Sequence, residues 1–156
     1  MRALVQRVKN AQVAVAGQVI GRIGKGLSVF LGVGKGDGRG EVLTMAEKVR
    51  HLRIFENESG RFDRSLVEVG GEALVVSQFT LYGDCRKGRR PSFTDAASPD
   101  EASRLYDLFV RDLAEKGVRV ATGRFGERME VTLVNDGPVT LWLEVLSSEG
   151  SSPSRT

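Results

Sequence analysis

The chain has 156 residues, of which 40% are hydrophobic, and this is enough for one compact domain with a packed core. Because it has one cysteine and one histidine, an internal disulfide, a structural zinc site of about four Cys/His ligands and a zinc centre built on several histidines are excluded. The net charge of +3 permits a nucleic-acid partner without indicating one. Because no apolar stretch approaches the ~18 residues of a membrane span and the N-terminus has no signal-peptide core, we expect a cytoplasmic protein.

The first third of the chain is predicted to form strands followed by a helix. Polar and apolar residues alternate over 2–9 and 12–15, and a turn at Ala16-Gly17 leads into a returning strand over 18–23. Residues 27–33 are almost continuously apolar, which is typical of a strand buried on both faces. The next apolar residues recur at the spacing of one helical face: Val42, Met45, Ala46, Val49 and Leu52.

The middle of the chain is predicted to contain two strands and a long loop. Residues 66–69 form a short strand, and Gly70-Gly71 turns the chain into a buried strand over 73–76. That strand runs on into the polar segment 77–83, and residues 84–98 form a loop that is strongly basic at its start.

A second helix has the clearest start signal in the sequence. Ser98 is predicted as its N-cap, Pro99 occupies the first helical position, and Glu101 completes a capping box. Gly117 stands where the glycine that ends a helix is expected. The apolar face of this helix consists of Ala102, Leu105, Tyr106, Phe109 and Leu113.

The last part of the chain is predicted to be a β-hairpin followed by a tail. Alternating residues predict a strand over 129–134, Asn135-Asp136-Gly137-Pro138 predicts a turn, and residues 139–146 return as a strand. The Ser-rich segment 147–156 is predicted to be a disordered tail. We therefore expect a single domain over 1–146 of the α/β class, in which two helices cover a mixed sheet.

Two segments carry polar groups at places where ligands are commonly bound. Ser77, Gln78, Phe79 and Thr80 lie where a buried strand ends, and a rigid strand end can aim side chains at a substrate. The alternative is a polar strand end satisfied by local hydrogen bonds. In the segment 135–140, a glycine carbonyl could approach a ligand closely, but the spacing alone favours a plain turn.

The loop over residues 84–90 leaves two further alternatives open. Its four basic residues, Arg86, Lys87, Arg89 and Arg90, are typical either of a solvated surface loop or of a non-catalytic RNA-binding module that contacts phosphates. Cys85 could act as the nucleophile of a cysteine hydrolase, but a nucleophilic cysteine needs a base beside it. The single histidine, His51, lies near the end of the first helix, so an incidental thiol is favoured.

Three further residues have both a structural and a functional interpretation. Arg7 shares strand parity with the apolar residues Ala3 and Val5, so its guanidinium requires carbonyl or carboxylate partners, unless its stem simply covers apolar surface. Met129 and Phe125 could belong to the core or line a pocket, and the core is the default interpretation.

The sequence resembles the D-aminoacyl-tRNA deacylase family in two signature segments, Ser77-Gln78-Phe79-Thr80 and Asn135-Asp136-Gly137-Pro138-Val139-Thr140. Three shorter stretches are similar to that family as well, at residues 1–8, 90–93 and 122–125. The resemblance covers residues 1–146, with a local departure at Phe62-Asp63, where the family pattern is closer to Met-Asn.

The resemblance implies a fold and an activity. The fold is a mixed, mostly antiparallel sheet that forms a barrel-like β core with two helices outside. The activity is that of a homodimer that hydrolyses the ester between a D-amino acid and the 3′-terminal adenosine of tRNA. Neither DNA nor a membrane is expected as a partner, and no cofactor or metal is expected.

The resemblance also implies that Gly137-Pro138 is cis and reaches into the partner subunit's pocket. Ser77 to Thr80 would line that pocket, Arg7 would hold the Gly-Pro turn, and Met129 would lie near the adenosine.

The scarcity of ionisable groups leads to a mechanistic hypothesis. The hydroxyl of Thr80 is a weak nucleophile without an adjacent base, and no acid–base pair lies near it in the sequence. We expect Thr80 to position the substrate while backbone N–H groups stabilise the oxyanion. If the Gly137 carbonyl binds the substrate amino group, an L side chain would meet the Gly-Pro wall, whereas glycine would be partly accepted.

Overall fold

The computed structural model describes residues 1–147, so the predicted tail lies outside the described residues except for Ser147. Residues 1–147 fold into eight strands, two α-helices and one short 3₁₀ helix. In chain order these are β1 (Arg2–Val15), β2 (Gln18–Ile23), β3 (Gly26–Gly32), α1 (Arg39–His51), β4 (Phe55–Glu56), β5 (Phe62–Arg64), β6 (Glu72–Ser77), the 3₁₀ helix (Phe79–Tyr82), α2 (Pro99–Glu115), β7 (Arg119–Thr122) and β8 (Glu130–Glu144).

Six strands form one mixed sheet in the order β2-β1-β3-β6-β7, with β8 paired to β1. The pairs that involve β1 are antiparallel, whereas β6 runs parallel to both β3 and β7. Parallel neighbours require a crossover, and α1 and α2 lie in the two crossover connections. The sheet curls until β2 approaches β7, since a Cβ on Gly21 would lie 2.7 Å from the Thr122 carbonyl oxygen. The expected mixed, barrel-like sheet with two helices is confirmed.

The two faces of the sheet belong to two separate hydrophobic clusters. Val29 and Val75 point towards the helices, where they join fully buried residues such as Met45 and Phe109. Leu74, the neighbour of Val75 along β6, points into the barrel and joins the second cluster. This alternation follows from the two-residue period of a strand, and it explains why the central strands are apolar on both faces.

The second helix, α2, begins and ends as its sequence signals predict. The Ser98 hydroxyl accepts a hydrogen bond from the Glu101 backbone N–H, and Pro99 is the first residue of α2. Gly117 has a positive φ of 90° after the helix end, a conformation that glycine adopts readily. In α1, the Glu41 carboxylate accepts a hydrogen bond from the backbone N–H of Gly38, at 2.7 Å. Neither helix is long and apolar enough to cross a bilayer.

The strand predicted over 66–69 is wrong, because these residues form a turn. The backbone N–H of Ser65 donates to the Glu68 carboxylate at 2.7 Å, and the Glu68 N–H donates to the Ser65 hydroxyl at 3.3 Å. Such reciprocal side-chain bonds compete with strand pairing. Three short strands, β4, β5 and β7, are not among the predicted ones.

The predicted boundaries of β1, β6 and β8 also need correction. The segments 2–9 and 12–15 form one continuous strand, and the chain leaves β6 at Ser77 to enter a 3₁₀ helix. The predicted hairpin at residues 135–138 is wrong, since both halves of β8 pair with β1. Gln6 pairs with Thr140 and Val8 with Asn135, so residues 136–139 bulge out opposite a single β1 residue, Arg7.

Candidate active site

A cavity of 570 Å³ opens where β6 ends. Its walls come from the β6 end, the loop that leads into α2, the first turns of α2 and the segment before β8. The lining residues are Val33, Val76, Ser77, Gln78, Phe79, Phe93, Ala96, Ala97, Pro99, Ala102, Phe125, Gly126, Glu127, Met129 and Val131. The candidate residues Ser77, Gln78, Phe79 and Met129 therefore share one cavity, and a cavity of this size is typical of a small-molecule or nucleoside site.

The 3₁₀ helix fixes the geometry at the cavity rim. The Gln78 backbone N–H donates to the Leu31 carbonyl at 2.8 Å, which ties the start of the helix to β3. The Gln78 side-chain amide donates to the Thr80 hydroxyl, so these two candidate residues hold each other in place. The Thr80 side chain is exposed and is not part of the cavity lining.

Two backbone donors at the helix start are free to bind a ligand. The first N–H groups of a helix have no partner within the helix. The N–H groups of Phe79 and Thr80 accordingly have no acceptor among residues 1–147, whereas the Leu81 N–H donates to the Gln78 carbonyl at 3.3 Å. An exposed pair of N–H groups beside a cavity can stabilise a developing oxyanion.

Aromatic residues flank the cavity at this rim. Phe79 is 56% exposed, and its ring meets that of Phe93 edge-on with a centroid distance of 5.0 Å. Phe93 and Glu127 line the cavity although sequence spacing did not single them out. Phe125 lines the cavity and also packs against the hydrophobic core, so both interpretations of this residue apply. Only the family resemblance of residues 90–93 pointed to Phe93, and no signal pointed to Glu127.

Arg7 is buried beneath the bulge of β8. Its side chain is 6% exposed, with Nε donating to the Asp136 carbonyl at 3.1 Å and Nη1 donating to the Ile54 carbonyl at 2.7 Å. The carboxylates of Glu56 and Asp136 each lie 3.5 Å from the guanidinium. The guanidinium thus has both carbonyl and carboxylate partners, and it links the β8 bulge to the segment after α1.

The bulge itself presents Gly137 and Pro138 to solvent, and the peptide bond between them is cis. Gly137 has a φ of +135°, and a Cβ added there would lie 2.8 Å from Val139 Cγ2 and 3.2 Å from Arg7 Nη2. Only glycine fits this position without strain. Asn135 closes the bulge, since its side-chain oxygen accepts the Val139 N–H at 3.1 Å.

The candidate residues thus form two groups that one chain does not bring together. Ser77, Gln78, Phe79 and Met129 line the cavity, whereas Arg7, Gly137 and Pro138 do not. The Gly-Pro bulge lies on β8, which among the described residues pairs with β1 alone.

The residues that a cysteine hydrolase would need are not assembled. Cys85 is exposed and lies outside the cavity lining, and His51 ends α1, where its Nε2 lies 3.8 Å from Glu47. Glu127 is the one ionisable side chain that lines the cavity within residues 1–147. The described residues also contain no group of three or more His, Cys, Asp or Glu side chains that could hold a metal ion.

Comparison with known proteins gives a consistent result. The family described as D-Tyr-tRNA(Tyr) deacylase matches residues 4–144. A Heliobacterium modesticaldum protein named D-aminoacyl-tRNA deacylase is 59% identical over 144 residues, which cover 92% of this chain and 96% of that protein. A Roseiflexus sp. protein of the same name is also 59% identical, with 92% and 93% covered.

Two solved structures share this fold. One, titled c-Myc DNA Unwinding Element Binding Protein, is 40% identical with a TM-score of 0.90, and the match covers 94% of this chain and 99% of that one. The other, titled as a probable eukaryotic D-amino acid tRNA deacylase, is 21% identical with a TM-score of 0.80, and the match covers 92% and 98%. The second supports the fold alone.

Proposed function

This chain belongs to the D-Tyr-tRNA(Tyr) deacylase family and is a D-aminoacyl-tRNA deacylase, a hydrolase of ester bonds, and we propose that it acts as a homodimer in which each Gly137-Pro138 bulge completes the cavity of the partner subunit. The substrate is the ester between a D-amino acid and the 3′-terminal adenosine of tRNA, and the products are the free D-amino acid and tRNA. We place the reaction in the cytoplasm. The observation that carries this proposal is the separation of Gly137 and Pro138 from the cavity that Ser77 to Phe79 line.

The exposed edge of β8 supports the proposal that a second copy of the chain packs against it. β8 has 15 residues, and its second edge pairs with no strand among the residues described. Val134 and Trp142 on this strand are 45% and 49% exposed. A long edge strand that carries large apolar side chains is usually covered by another part of the protein or by a partner. A two-fold dimer would cover both copies of this edge at once.

Stereospecificity follows from the backbone of the bulge. A carbonyl of Gly137 that binds the substrate amino group fixes the orientation of the α-carbon. An L side chain would then collide with the Gly-Pro wall, whereas a D side chain would point to solvent, so the site rejects L rather than recognising D. Glycine has no side chain to collide, so glycyl-tRNA is a substrate as well.

Hydrolysis is carried out by backbone donors and the substrate itself. Water adds to the ester carbonyl carbon, the free N–H groups of Phe79 and Thr80 stabilise the oxyanion, and the acyl–oxygen bond breaks as the ribose 3′ oxygen takes a proton. The ribose 2′-hydroxyl orients the water, Met129 packs against the adenosine, and Thr80 positions the ribose. This assignment fits a cavity in which Glu127 is the one ionisable lining residue within the described chain.

The test measures deacylation of D-tyrosyl-, L-tyrosyl- and glycyl-tRNA by the wild type and two variants. The wild type and Cys85→Ala are expected to release D-tyrosine and glycine but not L-tyrosine. Gly137→Ala is expected to lose D-tyrosine release, because a Cβ would collide with Val139 and Arg7. Loss of activity in Cys85→Ala would instead support a cysteine hydrolase, and tRNA binding without deacylation would support an RNA-binding module.

A mixing experiment tests whether the bulge with Gly137 of one subunit completes the cavity of the other subunit. Phe79→Pro removes one N–H donor of the cavity, whereas Gly137→Ala alters only the bulge. In a mixed dimer, the cavity of the Gly137→Ala subunit receives an intact bulge from its partner. Co-expression of the two inactive variants is therefore expected to restore about a quarter of the wild-type activity for random pairing. Activity that stays at the level of the separate variants would contradict completion by the partner.

A further inference from the structure

A short basic loop projects from the rim of the cavity. Asp84 and Ser92 exchange two backbone hydrogen bonds, of 2.8 and 2.9 Å, so the residues between them form a loop that is closed at its base. We call residues 86–90 the rim loop. The residue after this closure, Phe93, lines the cavity, so the position of the rim loop is tied to the cavity wall.

The charges of the rim loop point outwards. Arg86, Lys87, Arg89 and Arg90 are all exposed. Arg86 is held by Asp84, with Nε and Nη2 at 2.9 and 2.8 Å from the two carboxylate oxygens, and this contact lowers the pKa of Asp84 to about 2. Lys87, Arg89 and Arg90 form no ion pair with any described residue, so their charges remain available to an external partner.

The segment of residues 124–128, which contributes to another wall of the cavity, is basic as well. Arg124 and Arg128 are exposed and flank Phe125 to Glu127, which line the cavity. Neither arginine has an ion-pair partner within residues 1–147. Acidic side chains are present here too: Asp84, which is paired with Arg86, Asp95, Glu127 in the lining, and Asp100 and Glu101 in the first turn of α2. The unpaired cations are Lys87, Arg89 and Arg90 beside one wall and Arg124 and Arg128 beside another, so an anionic chain that enters the cavity passes between positive charges.

We propose that Lys87, Arg89 and Arg90 of the rim loop bind backbone phosphates at the acceptor end of the tRNA, with Arg124 and Arg128 on the other side of the same strand. The proposal rests on the deacylase function, because an aminoacylated 3′ end held in the cavity brings its neighbouring phosphates to this rim. Lysine and arginine contacts to phosphate depend on salt and do not read sequence. The rim loop therefore contributes affinity that is common to all tRNAs.

The experiment separates phosphate binding from chemistry by using two substrates. D-tyrosyl-tRNA carries the phosphates, whereas D-tyrosyl-adenosine presents the same ester without them. The test variant is Lys87→Ala/Arg89→Ala/Arg90→Ala, which leaves the Asp84–Arg86 pair intact. The matched control, Lys48→Ala/Arg61→Ala/Arg111→Ala, removes one lysine and two arginines that are exposed and do not line the cavity.

The rim-loop variant is expected to raise KM for D-tyrosyl-tRNA about tenfold or more at 0.1 M salt, with kcat unchanged. Its plot of log Kd for uncharged tRNA against log salt is expected to lose about 2 to 3 units of slope, since each phosphate contact contributes about 0.7 to 0.9. The kcat/KM for D-tyrosyl-adenosine and all values for the control variant should match the wild type.

Equal KM values and salt slopes for the rim-loop and control variants would overturn the proposal. A parallel loss on D-tyrosyl-adenosine would also overturn it, because the loop would then act on the cavity and not on phosphates. If the wild type hydrolyses neither substrate, the deacylase function fails, and the salt slopes for uncharged tRNA alone decide whether the rim loop binds RNA.

Discussion

Replacing Arg7 by methionine tests whether the buried guanidinium holds the Gly-Pro bulge. The substitution keeps the unbranched stem of the side chain but removes the guanidinium and with it the two hydrogen bonds to the carbonyls of Asp136 and Ile54. A hydrogen bond that involves a charged group contributes about 1.5 to 3 kcal/mol. The gain from no longer burying a charge offsets part of this loss, so we expect the free energy of unfolding to fall by about 2 to 4 kcal/mol.

The same change should reduce kcat more than stability alone explains. Asp136 adjoins Gly137, so the bulge loses the contact that fixes its position relative to the partner's cavity. A displacement of about 1 Å at a reacting centre can cost about 10²-fold in rate. The assay combines urea unfolding, followed by the fluorescence of the single tryptophan, Trp142, with deacylation of D-tyrosyl-tRNA under conditions where the variant is folded.

Arg50 provides a matched control for this experiment. It is also a buried arginine, at 7% exposure, but its Nη2 donates only to the exposed carboxylate of Glu47 and its Nε has no partner in the described chain. Arg50→Met should change the unfolding free energy by less than about 1 kcal/mol and leave kcat unchanged. An Arg7→Met protein with wild-type kcat and stability would refute the reasoning, as would equal losses in both variants.

Three further substitutions test other parts of the site and the core. Thr80→Ala should reduce kcat by less than about 10³-fold, since Thr80 positions the substrate, and a loss beyond about 10⁴-fold without structural change would identify it as the nucleophile. Gly123→Ala should raise KM several-fold with little loss of stability, because its Cβ would displace the flexible Met129 side chain that lines the cavity; an unchanged KM would contradict this. Tyr106→Phe removes a buried 2.7 Å bond to the Val75 carbonyl and should lower the unfolding free energy by about 1 to 2 kcal/mol, which thermal unfolding can measure.

Sequence reasoning succeeded where a structure is determined locally. The ends of α2 follow from Ser98, Pro99 and Gly117 because capping involves only neighbouring residues. It failed where a distant strand decides. The Asn-Asp-Gly-Pro segment has the composition of a hairpin turn, yet both sides of it pair with β1, and nothing in a local pattern encodes that partner.

In the candidate site, too, the features that are determined locally could be predicted, whereas those that depend on distant segments could not. The strand end at Ser77 was visible because a buried apolar run stops there, and Arg7 stood out because its strand parity places a charge among apolar residues. The wall that Phe93 and Glu127 form together with Phe125 could not be predicted as a unit, since these residues come from two segments that meet only in the folded chain. Spacing also could not reveal that Phe79 and Thr80 begin a 3₁₀ helix whose first N–H groups have no acceptor in the part of the chain that the structure describes.

The scarcity of ionisable side chains in the cavity lining of the described chain, where Glu127 is the one carboxylate, constrains what the enzyme can distinguish. On the proposed mechanism, the groups that bind substrate are backbone N–H donors, the Gly137 carbonyl, Met129 and Thr80 at the terminal adenosine, and the phosphate-binding cations of the rim loop. Their ligands are the ester carbonyl, the α-amino group, the 3′-terminal adenosine and the RNA backbone, which every aminoacyl-tRNA shares. Neither the amino-acid side chain nor the tRNA sequence then contributes to affinity. The configuration at the α-carbon is the one feature that separates substrates from non-substrates, because only an L side chain is directed into the Gly-Pro wall. Strong selectivity among D-aminoacyl-tRNAs, measured as kcat/KM for small, acidic and aromatic D-amino acids, would contradict this account.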